Sequence, residues 1–380
     1  MPSAGNFHTV LLNTSGSATA CGGNDSGQCN IPALPKGVTY WQAAAGRFHT
    51  VLLKSDGTAA AFGDNASGQC NVPALPEGIT YTQAAAGVEY TVLLKSDGTA
   101  AAFGGNGAGQ CNIPALPEGV TYTQAAAGDV HTVLLKSDGT AVAFGDNHSG
   151  QCDIPPLSEG VTYTQAATGS SHTVLLMSDG TAVAIGMKGY PFCDIPPLPE
   201  GVTYTQAAAG FAHTVLLKSD GTVAACGCAL LGQCNIPALP EGVTYTQAAV
   251  GGLHTVLLKS DGAAAAFGDN QFGQCNIFDL PGMSYTRSGD QRPQTMLDIE
   301  LGSEYAAFYM LSGEEVLRVK VNATDNLNDL RLKYVNGITG TSRRFCAVLP
   351  TGVGLEYACA QTPAAPLEPW LLRKRVRKYE

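Results

Sequence analysis

Two residue types recur at fixed spacing and could do chemistry. Histidine stands at His8, His49, His131, His172, His213 and His254, with Tyr90 in the one remaining place. Cysteine stands at Cys29, Cys70, Cys111, Cys152, Cys193, Cys234 and Cys275, and every step in both series is 41 residues. A zinc site needs four such side chains converging at about 2.0–2.3 Å. One ligand pair per repeated unit holds them apart, so each histidine is expected to hydrogen-bond within its own unit and each cysteine to act as a small buried hydrophobe. Cys226 and Cys228 add a lone C-x-C. Ser-Asp-Gly recurs in copies two to seven, with Thr14-Ser15-Gly16 in the first. One active site does not need six copies of a carboxylate, and Asp-Gly suits a tight turn. Phe103-Gly-Gly-Asn-Gly-Ala-Gly lacks the flanking helix of a nucleotide site. No phosphate-cradling Gly-x-x-x-x-Gly-Lys, nucleophile elbow or His-Glu-x-x-His occurs. The sequence therefore assigns no catalytic, cofactor-binding or metal-binding residue, and the chain reads as a non-enzyme.

The elements around these residues are β-strands. In residues 128–155, GDVHTVLLKSDGTAVAFGDNHSGQCDIP, Thr132–Leu135 is a β-branched and aliphatic run. Ser137-Asp138-Gly139 turns the chain and Thr140–Phe144 returns it. Gly-Asp-Asn breaks the strand, Gln-Cys-Asp-Ile-Pro is a short extended piece, and Val161-Thr-Tyr-Thr-Gln-Ala-Ala alternates again. That is about four short strands per copy with no helical periodicity. A period of about 20–50 residues marks a solenoid or a propeller, and four strands repeated seven times predicts a seven-bladed all-β propeller.

This phrase resembles the repeat of the regulator of chromosome condensation family. Gly128, the apolar run ending in Asp-Gly, Gly145-Asp146-Asn147 and Gly150-Gln151 carry the resemblance, which spans about residues 3–287. The period is shorter than is usual in the family, and cysteine follows Gly-Gln where the family has leucine. The resemblance implies a seven-bladed propeller and three activities to weigh. The founding member exchanges nucleotide on a small GTPase with a wedge inserted in its propeller, and no insertion interrupts the 41-residue spacing here. Some very large HECT-type ubiquitin ligases carry such propellers. The 93 residues after Arg287 are too few for their catalytic module, which leaves a substrate-binding role in a ligase. The related ultraviolet-B receptor clusters tryptophans, whereas this chain has only Trp41 and Trp370.

Charge divides unevenly. Residues 1–287 carry 9 Lys/Arg against 20 Asp/Glu, and residues 288–380 carry 12 against 11. An acidic propeller is poorly suited to nucleic acid, which needs basic stripes to displace counterions. No apolar run approaches a membrane span. No signal peptide is visible, so a cytoplasmic setting with reduced thiols is expected. The basic run Arg373–Lys378 keeps a nuclear address open.

Read in order, Met1–Gly5 lacks the strand that precedes every other copy. Leu280–Thr286 resembles that strand and is expected to complete the first blade. Positions constant among copies form the frame. The pair before each histidine and the loop after the second hairpin arm vary, and variable positions on a rigid frame suit a protein partner. They nominate Arg47, Phe48, Glu89, Asp129 and Phe211 before the histidine place, and His148, Tyr190, Phe192, Leu230, Leu231 and Phe272 in the loops. Copies five and six depart most, so their apolar loops are the first choice for a contact patch.

After a linker at residues 288–303, residues 304–380 read as a small α+β unit with a basic tail. Glu304–Leu311 and Glu315–Val321 form a hairpin, Asn326 caps a helix bearing Leu327, Leu330 and Tyr334, and Phe345–Leu349 is a strand. Leu311–Tyr334 resembles the hairpin and helix of ubiquitin, and Trp370-Leu-Leu-Arg-Lys-Arg resembles its last strand. That resemblance implies a binding patch at Leu311, Leu349 and Leu371 and an adaptor role toward ubiquitin or proteasome machinery. The diglycine end is missing, since Val376-Arg377 stands there.

Overall fold

The computed structural model describes residues 1–187, 189 and 191–277, and the backbone of 297–301, 305–310 and 315–320. Contacts divide the chain into two compact units, Met1–Asp290 and Gln291–Glu380. In the first unit each 41-residue copy builds one three-stranded antiparallel sheet, seven in all. In the fourth copy the strands are Tyr122–Ala127, His131–Lys136 and Ala141–Gly145. The hairpin turn between the last two follows from its residues. Asp138 Oδ1 accepts the Thr140 N–H at 2.9 Å and its hydroxyl at 2.7 Å, and Gly139 sits at φ +80°. The repeated carboxylate is thus a turn residue.

The expected fourth strand does not form. Pro114 and Pro117, and their counterparts in other copies, remove backbone donors from that stretch. It runs across the sheet without a ladder and is held by a side chain instead: the Tyr122 hydroxyl donates to the Pro114 carbonyl at 2.7 Å. Ile113 and Leu116 still pack into the core.

The middle strand is buried on both faces, which explains its unbroken Val-Leu-Leu run. Leu134 packs with Tyr90, Val92 and Leu94 of the preceding blade. Val133 and Leu135 pack with Tyr163, Ala166 and Leu175 of the following one. The core is therefore a set of layers between blades.

Glutamines of the first strands tie neighbouring blades. Gln83 Nε2 donates to the Ala125 carbonyl at 3.4 Å while its Oε1 accepts the Ala125 N–H at 2.7 Å. Gln42, Gln124, Gln165 and Gln206 repeat the pairing on Ala84, Ala166, Ala207 and Ala248. The seventh and first blades meet directly. Gly252 donates its N–H to the Gly5 carbonyl at 3.3 Å, and His254 Nε2 lies 2.8 Å from Thr9 Oγ1. The first blade is not short of its first strand, contrary to expectation. Pro2–Ala4 fills it, paired Pro2↔Leu11 as Ala43↔Leu52 is paired in the second blade. Leu280–Thr286, expected there, lies outside the described residues.

In the second unit, Leu297–Leu301, Tyr305–Met310 and Glu315–Lys320 form an antiparallel sheet in that order. The expected hairpin is present. A strand also forms within the stretch 288–303 expected to be linker. The expected helix, the later strands and Leu311, Leu349 and Leu371 lie outside the described residues.

The register of the ring makes one position deficient. Gln247 should pair with the backbone N–H of residue 2, but that residue is proline, and buried Gln247 Oε1 has no partner among the described residues. Pro2→Ala supplies the missing donor. It should raise stability by up to about 1 kcal/mol, a typical net hydrogen bond, and the gain should vanish in a P2A/Q247A double variant. A urea midpoint that P2A leaves unchanged or lowers would show that the seam has no such deficit.

Candidate functional site

Both variable segments reach one end of the ring. The turn before each middle strand lies beside the loop that leaves the third strand of the preceding copy. Phe7 stacks on Phe48 at 5.1 Å between centroids and meets Phe272 edge-on at 5.3 Å. Ser67 Oγ donates to Glu89 Oε2 at 3.2 Å. The Ser-Asp-Gly turns lie at the other end, where Gly57, at φ +83°, packs on Thr80.

Beneath this face lies a repeated set of hydrogen-bonded links, one between each histidine-bearing blade and the next. His8 Nε2 lies 2.8 Å from Thr50 Oγ1 of the next blade, and His49, His131, His172, His213 and His254 reach Thr91, Thr173, Thr214, Thr255 and Thr9 at 2.8–3.1 Å. The histidines thus bond between blades, not within them as expected. Each threonine hydroxyl donates its one proton to a loop carbonyl, Thr50 to Gln28 at 2.7 Å and Thr173 to Gln151 at 2.8 Å. The hydroxyl must then accept from histidine, which fixes the Nε2–H tautomer. The six Nδ1 atoms are left buried without a partner among the described residues. Burial holds the imidazoles far below their usual pKa, about 3 for His8, His172 and His213 and about 4 for His49, His131 and His254. Neighbouring histidines push His8 lower still, while Asp64 partly offsets burial at His49. Tyr90 takes the seventh place, donating to the His131 carbonyl at 2.5 Å with its hydroxyl 3.0 Å from Thr132. The preceding glycine has a steric cause. A Cβ on Gly46 would lie 2.4 Å from the His49 ring and 2.5 Å from the Gly87 carbonyl.

The loops are built to repeat. In copy four, Asn147 Oδ1 accepts the Cys152 N–H at 2.8 Å, Asn147 Nδ2 reaches Asp153 at 2.8 Å, and the Cys152 thiol donates to the Asp146 carbonyl at 3.3 Å. Burial pushes that thiol up to about 11, with Asp146 and Asp153 adding to the effect. Cys152 is therefore a weak thiol donor rather than a ready nucleophile. Cys226 likewise donates to the Phe192 carbonyl at 3.8 Å, and the seven cysteines of the repeated series are free thiols. Among the described residues no group of His, Cys, Asp or Glu could hold a metal ion.

The nominated residues fall unevenly. Phe272 and Leu230 are exposed, at 45% and 38%. Arg47 and Phe48 are half-buried, with the guanidinium 5.1 Å from the Phe48 ring centre. Glu89 is exposed, and His148 is exposed beside Asp146, which raises its pKa by a direct hydrogen bond. Asp129 and Phe211 are half-buried at the mouth of an axial opening of about 70 Å³. Burial raises the Asp129 pKa, partly offset by Ser170 and Arg47. Roughly 300–1,000 Å³ is usual for a small-molecule site. Leu231 is half-buried, its N–H on Gln233 Oε1 at 3.0 Å. Phe192 is a correction: it is buried in the place of the usual glutamine, tilted on His172 at 4.7 Å, and its carbonyl accepts the Thr214 hydroxyl. Its neighbour Tyr190 lies outside the described residues. Phe7 was missed, although its place before His8 matches that of Phe48.

The regulator of chromosome condensation (RCC1) repeat profile matches residues 3–28, 42–69, 122–151 and 245–274. Those four segments match the RCC1 repeat. Solved structures share the fold of the repeat unit. Human WBSCR16 is 18% identical, with 67% of this chain and 85% of that one covered and a TM-score of 0.58. The CRINKLY WD40 ectodomain of the Arabidopsis thaliana receptor kinase ACR4 is 16% identical, covering 70% and 96%, at 0.54. The Physcomitrella patens receptor kinase CR4 ectodomain is 18% identical, covering 70% and 72%, also at 0.54. No curated protein matches the chain. Copies three, five and six lie outside those matches, yet their sheets repeat the same register.

The buried histidines make the stability of the repeat unit pH-dependent. They are neutral when folded at about 3–4 and titrate near 6.5 when unfolded, so the unfolded chain binds protons first. Their contribution is intact above about pH 6.5 and is lost as pH falls toward 4, by up to about 1.4 kcal/mol per pH unit for each histidine. Urea midpoints should change little from pH 7.5 to 7 and fall steeply between 6.5 and 4.5, with a separate decline above about pH 8 where thiols of the unfolded chain ionise and the buried ones do not. His131→Tyr, which copies the solution at Tyr90, should lessen the slope. A midpoint constant down to pH 4.5 would contradict the assignment.

Proposed function

We propose that this protein is a non-catalytic interaction scaffold whose variable loop face binds a protein partner. The observation that carries the reading is the sorting of positions. Residues constant among the copies are spent on the frame: histidine and threonine between blades, aspartate in the hairpin turns, asparagine and cysteine inside the loops. Residues that differ among copies converge on one end, and two of the large apolar ones, Leu230 and Phe272, are exposed there. A rigid frame lowers the entropy cost of binding because its loops are already held.

Exchange on a small GTPase is the alternative the repeat suggests, and the even 41-residue spacing offers no inserted wedge to perform it. An adaptor role toward ubiquitin or proteasome machinery would rest on residues 304–376, so the loop face is the part of this reading that the described residues support.

Site-specific photo-cross-linking tests it in the full chain. A benzoylphenylalanine at Ala66, His148 or Leu230 should capture the same partner protein from cell lysate, and one at Asp97 or Asp138 in the turns of the opposite end should not. Capture from the turn positions, or none from the loop positions, would overturn the reading.

A further inference from the structure

We propose that the loop face takes a protein segment carrying an aromatic or aliphatic anchor beside lysines or arginines. This inference rests on the binding role assigned to that face and names the chemistry of its partner. The face is divided. From copy six through copy two it carries the apolar side chains: exposed Leu230 and Phe272, then half-buried Phe7 and Phe48 in ring contact, with the Arg47 guanidinium over the last ring and exposed Asp25 in the loop of copy one. From copy two through copy four it is acidic, with Asp64, Glu89, Asp129 and Asp146 at successive places. The two halves meet at the second and third blades.

An exposed ring such as Phe272, backed by half-buried Phe7 and Phe48, is the usual kind of anchor at a protein interface. The carboxylates beside them select the sign of the neighbouring charge and speed encounter with it. The surrounding propeller adds to that field, with 20 acidic residues against 9 basic ones over residues 1–287. The same field repels nucleic acid and anionic lipid. A second copy of this chain fits poorly, because a two-fold contact centred on the apolar half brings like-charged acidic rims together. A basic segment with an apolar anchor satisfies both halves at once. Glu89 is well placed for it, exposed and fixed by the Ser67 hydroxyl at 3.2 Å.

The test is fluorescence anisotropy of the full chain with three labelled twelve-residue peptides on one Gly-Ser frame. The first carries two phenylalanines beside three arginines, the second glutamates for the arginines, and the third serines for the phenylalanines. The first should bind at least tenfold more tightly than either other. Phe272→Ser and Glu89→Lys should each weaken it at least fivefold, and Glu77→Lys, exposed at the opposite end, should not, with all three variants melting like the parent. Three equal affinities, or an affinity for the first peptide untouched by F272S and E89K, would overturn the inference. So would light scattering showing a dimer that F272S dissolves, since a second copy would then occupy the face. If cross-linking still maps a partner to the loops, only the partner chemistry falls. If it maps to the turns, the loop-face reading falls too.

Discussion

Six of the seven blades are held to the next by the same buried contact, an imidazole Nε2–H donating to a threonine hydroxyl that donates in turn to a loop carbonyl, and Tyr90 takes the histidine's place in the third. The other features of the frame follow from it. Glycine must precede the histidine, because the ring lies where a Cβ would be. The threonine must open the Val-Leu-Leu run so that its hydroxyl faces the preceding blade. The loop must present a carbonyl there, which the Asn–Cys and Gln–Asp hydrogen bonds secure. The net energy of each link is modest, about 1 kcal/mol for a hydrogen bond against a stranded Nδ1. Attraction between blades comes from the apolar layers; the links fix the spacing and register at which those layers pack.

A frame of this kind separates structure from recognition. The repeated polar side chains bond to other repeated groups of the frame, so a variable loop residue changes in one blade without disturbing the next. Copy five shows how far this goes. Phe192 replaces glutamine and its side chain turns inward, yet its carbonyl still accepts from Thr214 at 2.8 Å. The loops hold up an arc of varied side chains, on which Leu230 and Phe272 are exposed.

Much of this was legible in the sequence. The period, the hairpins and the turn role of Ser-Asp-Gly follow from local rules, because they depend on residues within a few positions of one another. The histidines were harder. Their partners lie 42 residues ahead, one period plus one, and local reading places such a bond inside the blade. The run Ile-Pro read as a strand because its apolar residues are buried, but two prolines deny it a ladder. The start of the first blade was misjudged because Pro-Ser-Ala does not resemble Gln-Ala-Ala-Ala, although strand pairing there is set by the Leu11 partner. Phe192 was read as exposed because polar residues fill that loop in other copies; its place in register with Gln151 was the signal of burial.

The links themselves are the claim to test most directly. Long-range nitrogen–proton correlation spectra of the histidine rings report protonation at each nitrogen. At pH 7 six imidazoles should show a protonated Nε2 and a bare Nδ1, and they should hold that state to pH 5 while exposed His148 titrates. Imidazoles that pick up a second proton near pH 6.5 in the folded chain, or that carry their proton on Nδ1, would contradict the account.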